Sequence, residues 1–127
     1  MILPDTNILV AYFKGSDLVT TLVDRAIEEK QILLSIIPIA EFLVKASSEE
    51  EAIIEQIIAM IGFIPLDQVI MNQTVVFRRQ ALRKTKRSHL LDCFIAATAK
   101  IHNATLVTFD RGDYPFRGLK VCQPEDL

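Results

Sequence analysis

Ile2-Leu3-Pro4-Asp5-Thr6-Asn7 opens the chain with an apolar run that ends on an acid and passes straight into a helical pattern. Such a run predicts a buried strand with a carboxylate at its carboxyl end. The pattern recurs. Ile32-Leu33-Leu34 precedes Pro38-Ile39-Ala40-Glu41, and Leu106-Val107-Thr108-Phe109 precedes Asp110. A fourth acid, Asp92, opens the helical stretch Leu90-Leu91-Asp92-Cys93-Phe94-Ile95-Ala96-Ala97-Thr98-Ala99. Short apolar runs alternating with helical patterns are the signature of a parallel α/β architecture.

Working outward, we expect strands at about residues 1–4, 32–34, 63–66, 105–108 and 119–122, giving a parallel sheet of four to five strands flanked by helices. Helices are expected from Thr6 to about Phe13, from Ser16 to about Lys30, from about Pro38 to Ala46, from Ser48 to Ile61, from about Asp67 to Thr85 and over about 89–102. Ser16 and Ser88 suit helix caps, and Ser48-Glu49-Glu50-Glu51 reads as a capping box. Gly15 and Gly62 suit helix ends.

The 127 residues suit a single domain over 1–127, and an apolar share of 50% supplies a sizeable core. The net charge of −2 hides an uneven distribution. No acid stands between Asp67 and Asp92. Within 78–87 lie Arg78, Arg79, Arg83, Lys84, Lys86 and Arg87, six of the fourteen basic residues. That stretch could contact phosphates, or could be a solvated helix end favoured by the dipole. Two cysteines without metal or redox spacing imply no disulfide framework. No signal peptide and no apolar run long enough to cross a bilayer is visible, so a cytoplasmic protein without membrane attachment is expected.

Each acid has a structural explanation when taken alone. Asp5 could cap a helix, Glu41 and Asp92 could complement helix dipoles, and Asp110 could make a turn before Gly112. Jointly they read differently. In open parallel sheets ligands bind beyond the carboxyl ends of the strands, where Asp5 and Asp110 would sit. Gathered carboxylates repel unless protons or cations compensate them, and hard oxygen clusters hold Mg²⁺ or Mn²⁺. A divalent ion there lowers the pKa of a bound water and neutralises phosphate charge.

Asp5-Thr6-Asn7, Ala40-Glu41, Asp92 through Ala99 and Thr108-Phe109-Asp110 together resemble the PIN domain, with VapC-type toxins as the nearest likeness. The resemblance runs from Asp5 to Asp113, and its most specific part is the Asp92 segment. It implies a PIN-like, Rossmann-like three-layer fold and a Mg²⁺- or Mn²⁺-dependent endoribonuclease leaving a 3′-hydroxyl and a 5′-phosphate. Asp5, Glu41, Asp92 and Asp110 match the family's acids, with Asp5, Asp92 and Asp110 as metal ligands. Thr6 or Asn7 matches the polar residue beside the first aspartate, and Thr108 the threonine before the last acid. Many toxin members carry Asn at the position of Asp110 and Asp three residues later. Here both Asp110 and Asp113 are acidic. Asp110 is favoured because it leaves the strand directly, with Asp113 auxiliary. The resemblance also implies an RNA substrate, a small antitoxin and a homodimer. The alternatives are a non-catalytic PIN scaffold that binds RNA, and a Mg²⁺-binding phospho-receiver domain. Asp67 and Lys120 fit the latter poorly.

Overall fold

The computed structural model describes residues 1–84 and 88–127. Strand β1 (Ile2–Pro4) runs into α1 (Thr6–Phe13). Helices α2 (Asp17–Glu28), α3 (Ile36–Val44), α4 (Ser48–Ile61), α5 (Gln68–Arg83) and α6 (Leu90–Ile101) follow, then β2 (Thr105–Val107) and β3 (Val121–Cys122). Short 3-10 turns cover Arg111–Asp113 and Pro124–Asp126.

The three strands form a parallel sheet in the order β1-β2-β3, with Leu3 opposite Leu106 and Leu106 opposite Val121. This corrects the expected four to five strands. The other two expected segments do lie alongside, but each makes only an isolated parallel bridge: Ile2 with Ile32, and Ser35 with Ile64. The reason is local. Ser35 accepts the Ile37 N–H and starts α3 at once, so the 32–34 segment has no room to extend. Pro65 lacks the donor that a ladder after Ile64 would need. Residues 31–33 still exchange hydrogen bonds with β1: Ile2 N–H to Gln31 at 2.9 Å and Leu33 N–H to Ile2 at 2.8 Å. Five segments therefore lie side by side with their carboxyl ends on one edge.

Leu3, Leu106, Ala96, Ala97 and Ala99 are fully buried between the sheet, α5 and α6. The small side chains let α6 approach β2 closely. Each fully buried leucine contributes about 2 kcal/mol. A second cluster, Ile8, Val19, Val23, Ile32 and Ile39, packs α1, α2 and α3 on the sheet's other face. Sheet between helical layers is the expected architecture.

Capping differs from expectation in two places. The capping box is Ser47 with Glu50, one residue earlier than Ser48 with Glu51. Ser88 does not cap α6: His89 holds the N-cap position, and the Ser88 hydroxyl donates instead to the Asp113 carbonyl at 2.7 Å. Asp67 caps α5 by accepting the Ile70 N–H. The expected end of that helix at Thr85 lies outside the described residues.

Candidate active site

Asp5 sits at the carboxyl end of β1 and is 7% exposed. Its Oδ1 accepts the Thr6 N–H at 2.8 Å, so the helix-capping role is real. Its Oδ2 accepts two hydroxyls, from Thr108 at 2.8 Å and Tyr114 at 2.9 Å. A buried carboxylate needs such donors. Burial first, then the Asp5 charge and hydrogen bond, push the Tyr114 phenol far above its ordinary pKa. It stays protonated and remains a donor.

Thr6 and Asn7 begin α1 and point to different acids. The Thr6 hydroxyl donates to Glu41 at 2.7 Å. The Asn7 amide nitrogen donates to Asp110 at 3.2 Å and to the Thr108 hydroxyl oxygen at 3.3 Å, and its oxygen accepts the Phe109 N–H at 3.3 Å. Thr108 also accepts the Asp110 N–H. Thr108 thus ties together Asp5, Asn7 and Asp110.

Asp92 stands in the first turn of α6, where Oδ2 reaches back to the His89 N–H at 3.0 Å. Its carboxyl is held above the ordinary value, chiefly by burial and further by the charges of Asp113 and Asp5; the His89 N–H works against the shift. Asp113 and Asp5 line the same hollow as Asp92.

Asp5, Thr6, Asn7, Glu41, Asp92, Asp110 and Asp113 line one hollow of about 390 Å³, and among the described residues no Lys, Arg or His lines it. All four expected acids and three of the four auxiliary residues line it. Thr108, the fourth, is fully buried beneath it. The donors are hard oxygens without thiolate or imidazole, which suits Mg²⁺ or Mn²⁺. Among the described residues, no three of these acids converge as a closed metal cage. Mg²⁺ keeps several waters and takes one or two carboxylates, so it does not require such a cage.

The basic candidates divide. Arg83 and Lys84 line a second cleft beside the hollow, Arg79 is exposed elsewhere on α5, and Arg78 is half-buried. Lys86 and Arg87 lie outside the described residues. Sequence reasoning missed Tyr114, whose aromatic type carries no hint of an acid partner, and Phe109, an exposed ring beside Asp110. The receiver alternative loses its residues: Asp67 is a helix cap, and Lys120 donates to Asn103.

The family model for the PIN domain matches residues 2–117. The chain belongs to the PIN domain family. Solved structures agree with that assignment. This PIN domain is 25% identical to a chain in the crystal structure of FitAcB from Neisseria gonorrhoeae, with a TM-score of 0.78 and 100% of both chains covered. It is 28% identical to a chain of a toxin–antitoxin complex from Klebsiella pneumoniae, with a TM-score of 0.73 and 98% of each chain covered. VapBC2 from Rickettsia felis, bound to a promoter DNA fragment, shares the fold at 22% identity and a TM-score of 0.80, covering 97% of this chain and 98% of its own. No curated protein matches the chain closely enough to count as a relative. Among the described residues, no helix of this PIN domain is long and apolar enough to cross a membrane.

Proposed function

We propose that this PIN domain is a divalent-metal-dependent endoribonuclease and the toxin of a toxin–antitoxin pair. The observation that carries the reading is the single hollow where carboxylates from four separated stretches meet. PIN domains are generally nucleases that use divalent ions. The Klebsiella neighbour is a toxin–antitoxin complex, which supports an antitoxin partner for this chain too.

Asp5 and Asp92 would hold the ion, with Asp113 as the third acid. Asp113 is favoured over Asp110 because its charge acts on Asp92. Bound there, Mg²⁺ or Mn²⁺ would supply Lewis acidity for phosphodiester hydrolysis. The chain's own residues do the positioning. Thr108 and Tyr114 fix the Asp5 carboxylate by hydroxyl donation. Thr6 orients Glu41, which faces the hollow as an acceptor for a proton from attacking water. Asn7 holds Asp110 at the rim.

The test is cleavage of structured and single-stranded RNA with Mg²⁺ or Mn²⁺, beside EDTA and Asp92→Asn controls. Metal-dependent cutting that disappears in the variant supports the reading. A folded, antitoxin-free protein that cuts nothing with either ion would return the chain to the non-catalytic scaffold.

A further inference from the structure

The turn Asp110–Tyr114 borders two spaces. Asp110 and Asp113 line the acid hollow, while Arg111, Gly112 and Tyr114 line a larger cleft of about 920 Å³. That cleft also takes Arg83 and Lys84 from the end of α5 and Arg117 from the loop before β3. Among the described residues its lining includes four cationic side chains and no carboxylate.

The bland explanation covers half of this. Arg83 and Lys84 complement the negative end of α5. It does not reach Arg111 and Arg117, which belong to the stretch after β2 and gain nothing from that dipole. Arg111 lies 3.8 Å from Asp126 at the surface. Arg83 and Arg117 have no ion pair among the described residues. Arg83 and Arg117, brought to one cleft without such a partner among the described residues, repel, and an anion relieves the repulsion. Phe116, in the cleft lining, stacks on the buried Phe77 ring at 4.4 Å. Its volume falls in the range of ligand sites, about 300–1,000 Å³, and exceeds the space a lone phosphate needs.

An acid hollow repels the polyanion it would cut, and the chain's net charge of −2 offers no general attraction. The attraction must be local and next to the acids. We propose that the cleft lined by Arg83, Arg111 and Arg117 is the substrate-strand subsite, binding backbone phosphates of the RNA that flank the cut across the Asp110–Tyr114 turn. Guanidinium forks match phosphate oxygens, and such contacts are independent of base sequence. The proposal rests on the ribonuclease reading above.

The test uses the full chain and a fluorescein-labelled oligo(U) of about 12 nucleotides. Binding is followed by anisotropy in EDTA between about 50 and 200 mM NaCl, and cleavage is followed separately with Mn²⁺. Arg83→Gln/Arg117→Gln should weaken binding about fivefold or more and lower the slope of log K against log salt by about 1.4, the value for two lost single-strand phosphate contacts. KM should rise while kcat holds within about twofold. Arg25→Gln on α2 should leave binding unchanged. If the wild type cuts RNA but the double variant keeps the same slope and KM, the cleft assignment falls and the nuclease reading stands. If the wild type neither cuts nor binds, both fall. A deca-glutamate peptide serves as a carboxylate probe. Loss of its binding in the double variant, with RNA binding retained, would make the cleft a seat for an acidic protein segment and overturn the proposal.

Discussion

The Tyr114 phenol donates a 2.9 Å hydrogen bond to Oδ2 of Asp5, joining positions 109 residues apart. Both groups are buried, so water cannot replace the bond at either end. Tyr114→Phe should cost about 1.5–3 kcal/mol, the range for a hydrogen bond to a charged group. Urea denaturation of wild type and variant measures it. A loss below a few tenths of a kcal/mol would mean that Thr108 alone satisfies Asp5.

Asp92 links pH, metal and stability. Its folded pKa lies above the ordinary 3.8, so between 3.8 and the folded value the native chain holds more protons than the unfolded one. Stability from this group is therefore greatest below 3.8 and falls as pH rises through the folded value. In metal-free protein Asp92→Asn should flatten that decline and raise stability at neutral pH, while RNA cleavage drops on the order of 10²-fold or more. Mg²⁺ should stabilise the wild type more than the variant, and EDTA should reverse the difference. Melting curves across pH, with and without the ion, decide this.

Ser88 holds the turn that carries Asp113. Its buried hydroxyl donates to the Asp113 carbonyl at 2.7 Å. Ser88→Ala should cost about 1 kcal/mol of stability and also weaken Mn²⁺ binding, since it loosens one acid's support. Titration calorimetry reads the second effect. Unchanged affinity would place Asp113 outside the metal site.

Phe109 presents an exposed ring between Thr108 and Asp110. An exposed aromatic next to Asp110 offers a base a stacking face, worth about 1–3 kcal/mol if the proposed nuclease binds single-stranded RNA there. Phe109→Ala should raise the Kd for single-stranded RNA by about 5–150-fold while leaving the melting temperature unchanged. A loss of stability without loss of binding would assign the ring a packing role.

Cys93 is fully buried, and burial pushes its thiol up to about 11. At pH 8 the thiolate fraction is on the order of 10⁻³, so a disulfide reagent should label Cys93 only after unfolding. Rapid native-state labelling there would reveal local opening at the start of α6.

Residue pattern alone carried the alternation of apolar runs and helices, because burial imposes its period on side-chain type. It therefore anticipated the six α-helices of the described residues and singled out four acids that line one hollow. Local chemistry also carried the Asp5 cap, since N-cap geometry is a neighbour effect. Three-dimensional contact decided the rest. Whether 32–34 becomes a ladder strand or a single bridge depends on how soon Ser35 starts α3. Whether Ser88 caps a helix or braces Asp113 depends on a segment 25 residues away. The same holds for Tyr114 on Asp5, for Asp113 on Asp92, and for Arg117 brought beside Arg83. A sequence encodes which groups cannot stay in water and which turns they favour. Only the folded chain determines which distant groups share a low-dielectric space, and there charge and hydrogen bonding set the chemistry.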